Sequence, residues 1–178
     1  YKNRYAGITL PLKNLYGTIE VSDKALRASR DSSGAFVNIL NAEMEGLISS
    51  ARQNFRRMLF GDGSGKLCTV KSKTTANEFA VSEVKDWFAG LRVDVYDSVG
   101  TKAASSEGLY IEKVDKAAGK VYFNKNITES IVNGGIYVHG SKDGELTGLG
   151  AIFDGATLYG YNKSDDAYFA PYKCDCGG

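Results

Sequence analysis

Histidine and acidic side chains are the residues of this chain most able to do acid–base chemistry, but their spacing matches no catalytic pattern. The sole histidine, His139, ends a predicted strand, and a relay of nucleophile, histidine and acid would need partners from distant parts of the chain. Three acidic pairs have the residue types used in glycoside or metal chemistry: Asp94 with Asp97, Asp143 with Glu145, and Asp165 with Asp166. None has a full ligand set around it, which favours solvated turns and strand edges. We therefore predict no catalytic residue and no enzyme.

The cysteines have the chemistry to bind a soft metal ion or to form a disulfide, but their number and spacing argue against both. Cys174 and Cys176 are close in sequence, but two thiolates without a second pair or a nearby histidine make a poor zinc site. The chain has three cysteines, so not all can pair, and a bridge between Cys174 and Cys176 would close a strained loop. We therefore predict no metal site, and a reducing compartment.

The glycine-rich segment at residues 61–66, Gly-Asp-Gly-Ser-Gly-Lys, is similar to a phosphate-binding loop. A Walker loop needs glycine where Phe60 stands and serine or threonine where Leu67 stands, and it opens a helix after a strand. This segment instead follows a helical pattern, so the end of a helix leading into a turn is the better interpretation. The sequence therefore predicts no cofactor.

Composition and charge exclude several classes of function. The chain has 178 residues, of which 43% are hydrophobic and 24% charged, which is typical of one or two folded domains. Its longest apolar runs are only a few residues, whereas a membrane-spanning helix needs about 20, so we predict no membrane partner. The net charge is +1, so no overall field attracts nucleic acid, and we predict no sequence-specific nucleic-acid partner.

An amphipathic pattern over residues 34–60 predicts one long helix. Apolar residues recur there at steps of three and four: Phe36, Leu40, Met44, Leu47, Ala51, Phe55 and Met58. At 1.5 Å per residue the helix is about 40 Å long, which matches the width of a compact body of this size. Such a helix is a spine for the molecule. We assign residues 31–77 to the spine helix and the junction after it, which includes a β-like run at 67–73.

The first thirty residues predict an extended arm of two β-strands. Residues 7–12 and 16–21 alternate apolar and polar side chains around a short polar turn, and no helical period appears before residue 24. An isolated hairpin is marginal in water, so the arm, residues 1–30, must lie on something else.

Short strands at regular spacing predict a small antiparallel β-module over residues 78–142. The predicted strands are residues 91–96, 109–114, 120–124 and 135–139. A short helical turn is predicted over residues 82–89, and residues 143–178 form a return segment and tail with one strand near 157–161. The predicted fold is therefore α+β: an extended N-terminal β arm, one long spine helix and a small antiparallel β-barrel-like module.

Aromatic residues in the β-module keep a binding role open. Four of them have the planar rings that stack on single-stranded nucleic acid: Tyr110, Tyr122, Phe123 and Tyr137. Acidic residues nearby would repel a phosphate backbone: Glu107, Glu112, Asp115 and Glu129. We therefore expect these aromatic side chains in the core. A β-barrel binding module that recognises carbohydrate, oligonucleotide or protein is the alternative to the assignment that follows.

An arm, a very long helix, a glycine-rich turn and a β-rich module make an uncommon order of segments. The runs that carry it are LPLKNLYGTIEVSDKALRAS at residues 10–29, AF at 35–36 through EMEGL at 43–47, LFGDGSGKL at 59–67, GS at 140–141, ELTGLGAIF at 145–153 and LYG at 158–160. Together they resemble the major capsid proteins of tailed bacteriophages, with the Hong Kong phage-type capsid fold. The resemblance covers most of the chain and implies an E-loop-like arm, a spine helix and a peripheral or insertion module. Complete subunits of that type approach twice this length, so it also implies a fragment that lacks most of the axial domain.

The resemblance implies a structural shell subunit of a viral capsid, assembled in the host bacterial cytoplasm and located in the virion. Physical reasoning agrees, because an arm that cannot fold alone and a helix as long as the molecule leave apolar surface that needs a neighbour. We expect the assembly interface to include ten apolar residues of the arm and helix: Ile8, Leu10, Leu12, Leu15, Tyr16, Ile19, Val21, Phe36, Leu40 and Met44. The expected partners are copies of the same chain in a capsomer-type homo-oligomer.

Overall fold

The computed structural model describes residues 5–28, 33–85 and 87–174, apart from the side chains of residues 25, 28, 33–36 and 167. The helices and strands in chain order are α1 Asp23–Ala28, α2 Ser33–Phe60, β1 Lys66–Lys73, β2 Glu78–Val81, β3 Val93–Tyr96, β4 Ile111–Asp115, β5 Lys120–Phe123, β6 Gly135–Val138, α3 Leu149–Phe153, β7 Thr157–Leu158 and β8 Tyr161–Asn162. Short 3-10 turns lie at Ala104–Ser106 and Ala167–Phe169. The fold is mixed, with a long helix at the start and a curled sheet after it.

The long helix that the amphipathic pattern predicts is confirmed as α2. One side of this helix faces the rest of the chain. Met58 on that side is buried, and Leu47 meets the arm at Gly17, where an added Cβ would come within 2.5 Å of the Leu47 side chain. The arm therefore approaches the helix through a residue without a side chain.

The return segment after the sheet crosses the C-terminal end of α2 at Gly148. A Cβ on Gly148 would lie 2.6 Å from the carbonyl oxygens of Leu59 and Gly61, which is closer than real Cβ atoms come to other atoms. Only glycine fits at this crossing, so the sequence fixes the close packing of two segments that are far apart along the chain.

The arm lacks the two strands that its alternating pattern predicts. Residues 5–22 form neither helix nor strand, so the predicted hairpin is wrong. The backbone lies against α2 at Gly17, and the Tyr161 hydroxyl donates a hydrogen bond of 2.8 Å to the carbonyl of Gly7. The arm is therefore placed by the helix and the tail, because its two runs do not pair with each other. The helix α1 follows it and has only six residues, too few to show a helical period in the sequence.

Six of the described strands form one curled antiparallel sheet, a half-barrel, in the order β3-β6-β1-β2-β5-β4. The strand β1 lies in the middle, between β6 and β2, although the sequence assigns it to the junction that precedes the β-module. The sheet therefore begins at Lys66, and the predicted boundary at residue 78 passes through it.

The two edge strands, β3 and β4, meet at one end of the sheet. The N–H of Val93 donates to the carbonyl of Leu109 at 3.1 Å. The N–H of Ile111 donates to the carbonyl of Leu91 at 3.0 Å. The residues just before β3 and β4 pair with each other in this way and are not part of the two strands. Each strand therefore begins two residues later than predicted. The link also satisfies backbone groups that an open edge would expose.

The concave side of the sheet holds the core. Its buried apolar residues are Cys68, Val70, Phe79, Val81, Trp87, Leu91, Val93, Val95, Ala103, Leu109, Ile111, Val121, Phe123, Ile127, Ile131 and Ile136. The rings of Phe79 and Phe123 meet edge to face with centroids 5.4 Å apart. Of the four aromatic residues that the sequence places in the core, Phe123 is fully buried, whereas Tyr110 is 44% exposed.

Two local predictions fail around this core. The described part of residues 82–89 is a loop without a helical turn, and it inserts the indole of Trp87 into the core. Burial of a large aromatic ring outweighs the weak local preference for a helical turn. The strand expected near residues 157–161 is a small hairpin of β7 and β8, with Tyr159 and Gly160 at positive φ in its turn.

A fragment that contains β1 is expected to fold without the arm and α2, whereas a fragment that lacks β1 is not. Residues 62–147 hold all six strands of the sheet. Residues 78–141 lose the buried side chains of Cys68 and Val70 and the pairing that joins β6 to β2. We expect β-type circular dichroism and a cooperative melt from the longer fragment only. Equal cooperative melting of the two fragments would contradict a central position for β1.

Candidate functional site

The arm residues predicted for assembly are mostly exposed. Five of the seven lie open to solvent: Ile8, Leu10, Leu12, Leu15 and Tyr16. Leu12 is the extreme case, at 95% exposed, whereas Ile19 and Val21 are half-buried. Scattered apolar residues on a surface are normal, but this many on one short segment form an uncovered apolar surface.

The three helix residues predicted for assembly have different surroundings. Met44 is exposed, and Leu40 is half-buried. The side chain of Phe36 lies outside the described part of the chain. Of the two helix residues whose side chains are described, Met44 is thus open to solvent and Leu40 is partly covered.

Five large apolar side chains on α2 form what we call the exposed stripe. They are between 44% and 51% exposed: Val37, Met44, Ile48, Phe55 and Leu59. Their spacing of seven, four, seven and four residues keeps them within about 60° of one another around the helix, over a length of about 33 Å. Of these five, only Met44 is among the residues predicted for assembly, although the regular spacing of the large residues is visible in the sequence.

The accessible surface of the whole chain is larger than its mass requires. It amounts to 12,326 Å². A compact folded protein of 19.2 kDa exposes roughly 8,400 Å². The excess of about 3,900 Å² exceeds what a standard protein–protein interface buries in total, about 1,600 Å². The arm and the exposed stripe hold ten of the exposed large apolar side chains on this surface.

A cavity of about 740 Å³ lies where the arm, α2 and one end of the sheet come together. The arm lines it with Lys13 and Tyr16, the helix with Phe55, and the sheet end with Arg92 and His139. The arm is therefore one wall of this cavity, and α2 and the loops at the end of the sheet form the others. Removing the arm opens this cavity to solvent.

His139 lines this cavity and is held by the buried carboxylate of Asp94. The imidazole Nδ1 lies 3.0 Å from Asp94 Oδ1, Lys102 Nζ lies 2.8 Å from the same oxygen, and the N–H of Gly140 donates to Oδ2 at 3.0 Å. Burial alone raises the pKa of Asp94, but the hydrogen bonds from Gly140, Lys102 and His139 outweigh it and hold this pKa below its ordinary value. The cluster ties the loop after β6 to β3.

The Asp94–His139 pair has the first two parts of an acid–base relay, but among the described residues no serine, threonine or cysteine side chain is hydrogen-bonded to the imidazole. The nearest hydroxyl along the chain, on Ser141, donates to the carbonyl of Val138 at 2.9 Å. The sequence pairs Asp94 with Asp97. In the structure Asp94 contacts His139 and Lys102, whereas Asp97 accepts hydrogen bonds from backbone N–H groups of the turn after β3. The contact between Asp94 and His139 was missed because it joins residues 45 positions apart.

The other acidic candidates have structural roles. Asp97 Oδ1 accepts hydrogen bonds from the N–H groups of Thr101 and Val99, at 2.8 and 2.9 Å, and these bonds lower the pKa of Asp97. Asp143 stands in a turn at positive φ, with φ of 56°. Asp165 is exposed and Asp166 half-buried, in the turn after β8. These four acids stand in turns, as expected from the sequence, whereas Asp94 and Glu145 are buried and the expectation of solvated positions is wrong for them.

Glu145 is buried and forms a bidentate ion pair with Arg57 of α2. Arg57 Nη1 donates to Glu145 Oε2 at 2.8 Å, and Nη2 donates to Oε1. Their side chains are only 12% and 5% exposed. The pair fastens the helix to the return segment, close to the crossing at Gly148.

The glycine-rich segment at residues 61–66 and the cysteines are the remaining candidates from the sequence. Asp62 Oδ1 accepts hydrogen bonds from the N–H and the hydroxyl of Ser64, at 2.9 and 2.6 Å, so the glycine-rich segment is a turn that its own carboxylate holds. Cys68 is buried, which raises the pKa of its thiol to about 12, and Cys174 is exposed. Cys176 lies outside the described residues.

The described residues hold no candidate metal site and no candidate membrane-spanning helix. No three histidine, cysteine or acidic side chains there come together as metal ligands. None of the helices described has the length and apolar character to cross a bilayer. In the comparisons with known proteins, no family model, no curated protein and no solved structure matches the chain.

Proposed function

We propose that this chain is a structural shell subunit of a viral capsid of the tailed-bacteriophage type, which acts by repeated contact with copies of itself and catalyses no reaction. One observation carries the proposal. Ten large apolar side chains, five on the arm and five in the exposed stripe, are left uncovered on a chain that exposes about 3,900 Å² more than a compact monomer. A shell subunit has neighbours that bury such surface.

The segments take the following roles in this proposal. The arm is an E-loop-like extension that reaches a neighbour, α2 is the spine, and the half-barrel is a peripheral or insertion module with its own core. Assembly takes place in the cytoplasm of the host bacterium, and the finished protein resides in the virion. Nucleic acid is enclosed without sequence-specific contact, in keeping with a net charge of +1.

The test is the size of the full-length protein in solution. Sedimentation velocity over a hundredfold range of concentration, with electron microscopy of the same samples, should show ordered multimers that grow with concentration. High salt should not dissolve them, because apolar contacts are not screened by ions. A protein that stays monomeric at every concentration and salt would contradict the proposal.

A ligand-binding module is the second candidate, and the cavity is the observation that favours it. Lys13 and Arg92 line the cavity and have no ion-pair partner in the part of the chain described, so its wall carries uncompensated positive charge. A monomeric protein that binds a small organic anion saturably, and loses this binding in Arg92→Gln, would favour the module over the shell.

A further inference from the structure

The exposed stripe on α2 has gaps that its own chain does not fill. Between Val37 and Met44, and again between Ile48 and Phe55, six residues pass without another large apolar side chain on this line. Each gap is about 10 Å long. The stripe is thus a row of five protruding side chains with two wide spaces between them. A helix that packs against it must supply side chains that fill these spaces.

A second copy of α2 fills both gaps when it runs antiparallel about a two-fold axis at Ile48. Such an axis sets the residue n positions before Ile48 against the residue n positions after it in the other copy. The second copy's Phe55 then falls opposite residue 41, inside the gap between Val37 and Met44. By symmetry its Met44 falls opposite Arg52, at the edge of the other gap, and Val37 meets Leu59 at each end.

A parallel arrangement of the two helices does not have this fit. In register, it sets Val37 beside Val37 and Met44 beside Met44, so the large side chains of both copies lie at the same levels and both gaps stay open. Packing with empty spaces loses the contacts that make a helix interface stable. The order of large residues along the stripe therefore distinguishes between the two directions.

Charges beside the stripe favour the same direction. Glu45 and Arg52 are exposed, lie on the same flank of the stripe roughly 50–70° from its centre line, and have no ion-pair partner among the described residues. A two-fold axis across the stripe places this flank against the same flank of the other copy. The second copy's Arg52 then lies opposite residue 44, next to Glu45, and the pair occurs twice by symmetry.

We propose that the exposed stripe binds the same stripe of a second copy, antiparallel, with Ile48 on the two-fold axis and Glu45 of each copy beside Arg52 of the other. This inference rests on the proposed self-assembly and names one of its contacts. The uncovered surface is large enough, since the excess over a compact monomer is more than twice what a standard interface buries.

Disulfide trapping tests the position of the axis in the full-length protein. In a Cys174→Ser, Cys176→Ser background, Ile48→Cys should give a covalent dimer under mild oxidation, because the two thiols meet on the axis. Ser49→Cys is the matched control, since Ser49 is exposed on the same helix but points about 100° away. Cys68 stays in place because it is buried. Equal trapping at the two positions, or none at Ile48 while multimers form, would overturn the pairing.

Charge reversal tests the direction of the helices. Glu45→Arg and Arg52→Glu each bring like charges together twice, so each should weaken dimerisation by roughly five- to thirtyfold in sedimentation equilibrium. The double variant restores opposite charges and should bind within about twofold of the unchanged protein, because the pairs are only exchanged. Additive losses in the double variant would overturn the antiparallel arrangement.

The two proposals fail in different ways. Ordered multimers without trapping at Ile48 and without charge coupling leave the shell assignment standing and remove the stripe pairing. A trapped dimer with coupled charges that never forms larger particles supports the pairing and contradicts the shell. A protein that is monomeric under all conditions contradicts both.

Discussion

Deletion of residues 1–22 is expected to abolish ordered multimers while leaving α2 and the half-barrel folded. The deletion removes six exposed large apolar side chains of the described residues, Tyr5 and the five named above, that contribute little to the isolated monomer. If a neighbour covers three or four of them, each contributes about 1.5–3 kcal/mol to assembly. That sum is comparable with the cost of association, which is about 4–15 kcal/mol, so assembly without the arm becomes unfavourable. Light scattering and electron microscopy beside a thermal melt on the same samples measure both effects.

A point substitution serves as the control for the arm deletion. Val99 is 87% exposed in the turn after β3, so Val99→Asp removes an exposed apolar side chain that is not part of the arm or the stripe. It should leave assembly unchanged. Normal multimers from the shortened protein would show that the arm carries no contact, and they would remove the main support for the capsid assignment.

A sequence pattern predicts an element well when the regularity of that element comes from residues that are close together along the chain. The period of apolar residues in α2 is a property of consecutive turns, so it locates the helix to within one residue of its observed start at Ser33. The turn after β3 is likewise predicted, because Asp97 and Gly100 act within four residues of each other. These elements need no knowledge of what lies against them.

Contacts across the chain are what the sequence leaves open. The alternation in the arm is the same whether its apolar side chains face a partner strand, α2 or another subunit, so the hairpin prediction was wrong. The strand β1 was recognised, but its place between β6 and β2 depends on a pairing with residues more than 60 positions away. The Asp94–His139 contact and the fit of Gly148 against the end of α2 are invisible for the same reason.

Removal of the Glu145 carboxylate is expected to destabilise the fold by about 3–5 kcal/mol, which is the usual cost of breaking a buried ion pair from one side. In Glu145→Ala the Arg57 guanidinium stays nearly buried and loses both of its hydrogen-bond acceptors. Its Nε is already buried without a partner, so the side chain has no other acceptor nearby in the described structure. For a chain of this size the loss corresponds to roughly 6–20 °C in melting temperature. Urea unfolding followed by circular dichroism gives the free energy of unfolding directly.

Two further variants separate the charge from the packing. Arg57→Leu combined with Glu145→Leu removes both charges together, so it should recover most of the stability that Glu145→Ala loses. Glu83→Ala breaks an exposed pair with Lys85, whose side chains are 57% and 82% exposed, and should change stability by less than about 1 kcal/mol. If Glu145→Ala and Glu83→Ala cost the same, the ion pair does not fasten α2 to the return segment. Apolar packing at Met58 and the crossing at Gly148 would then hold the end of the helix by themselves.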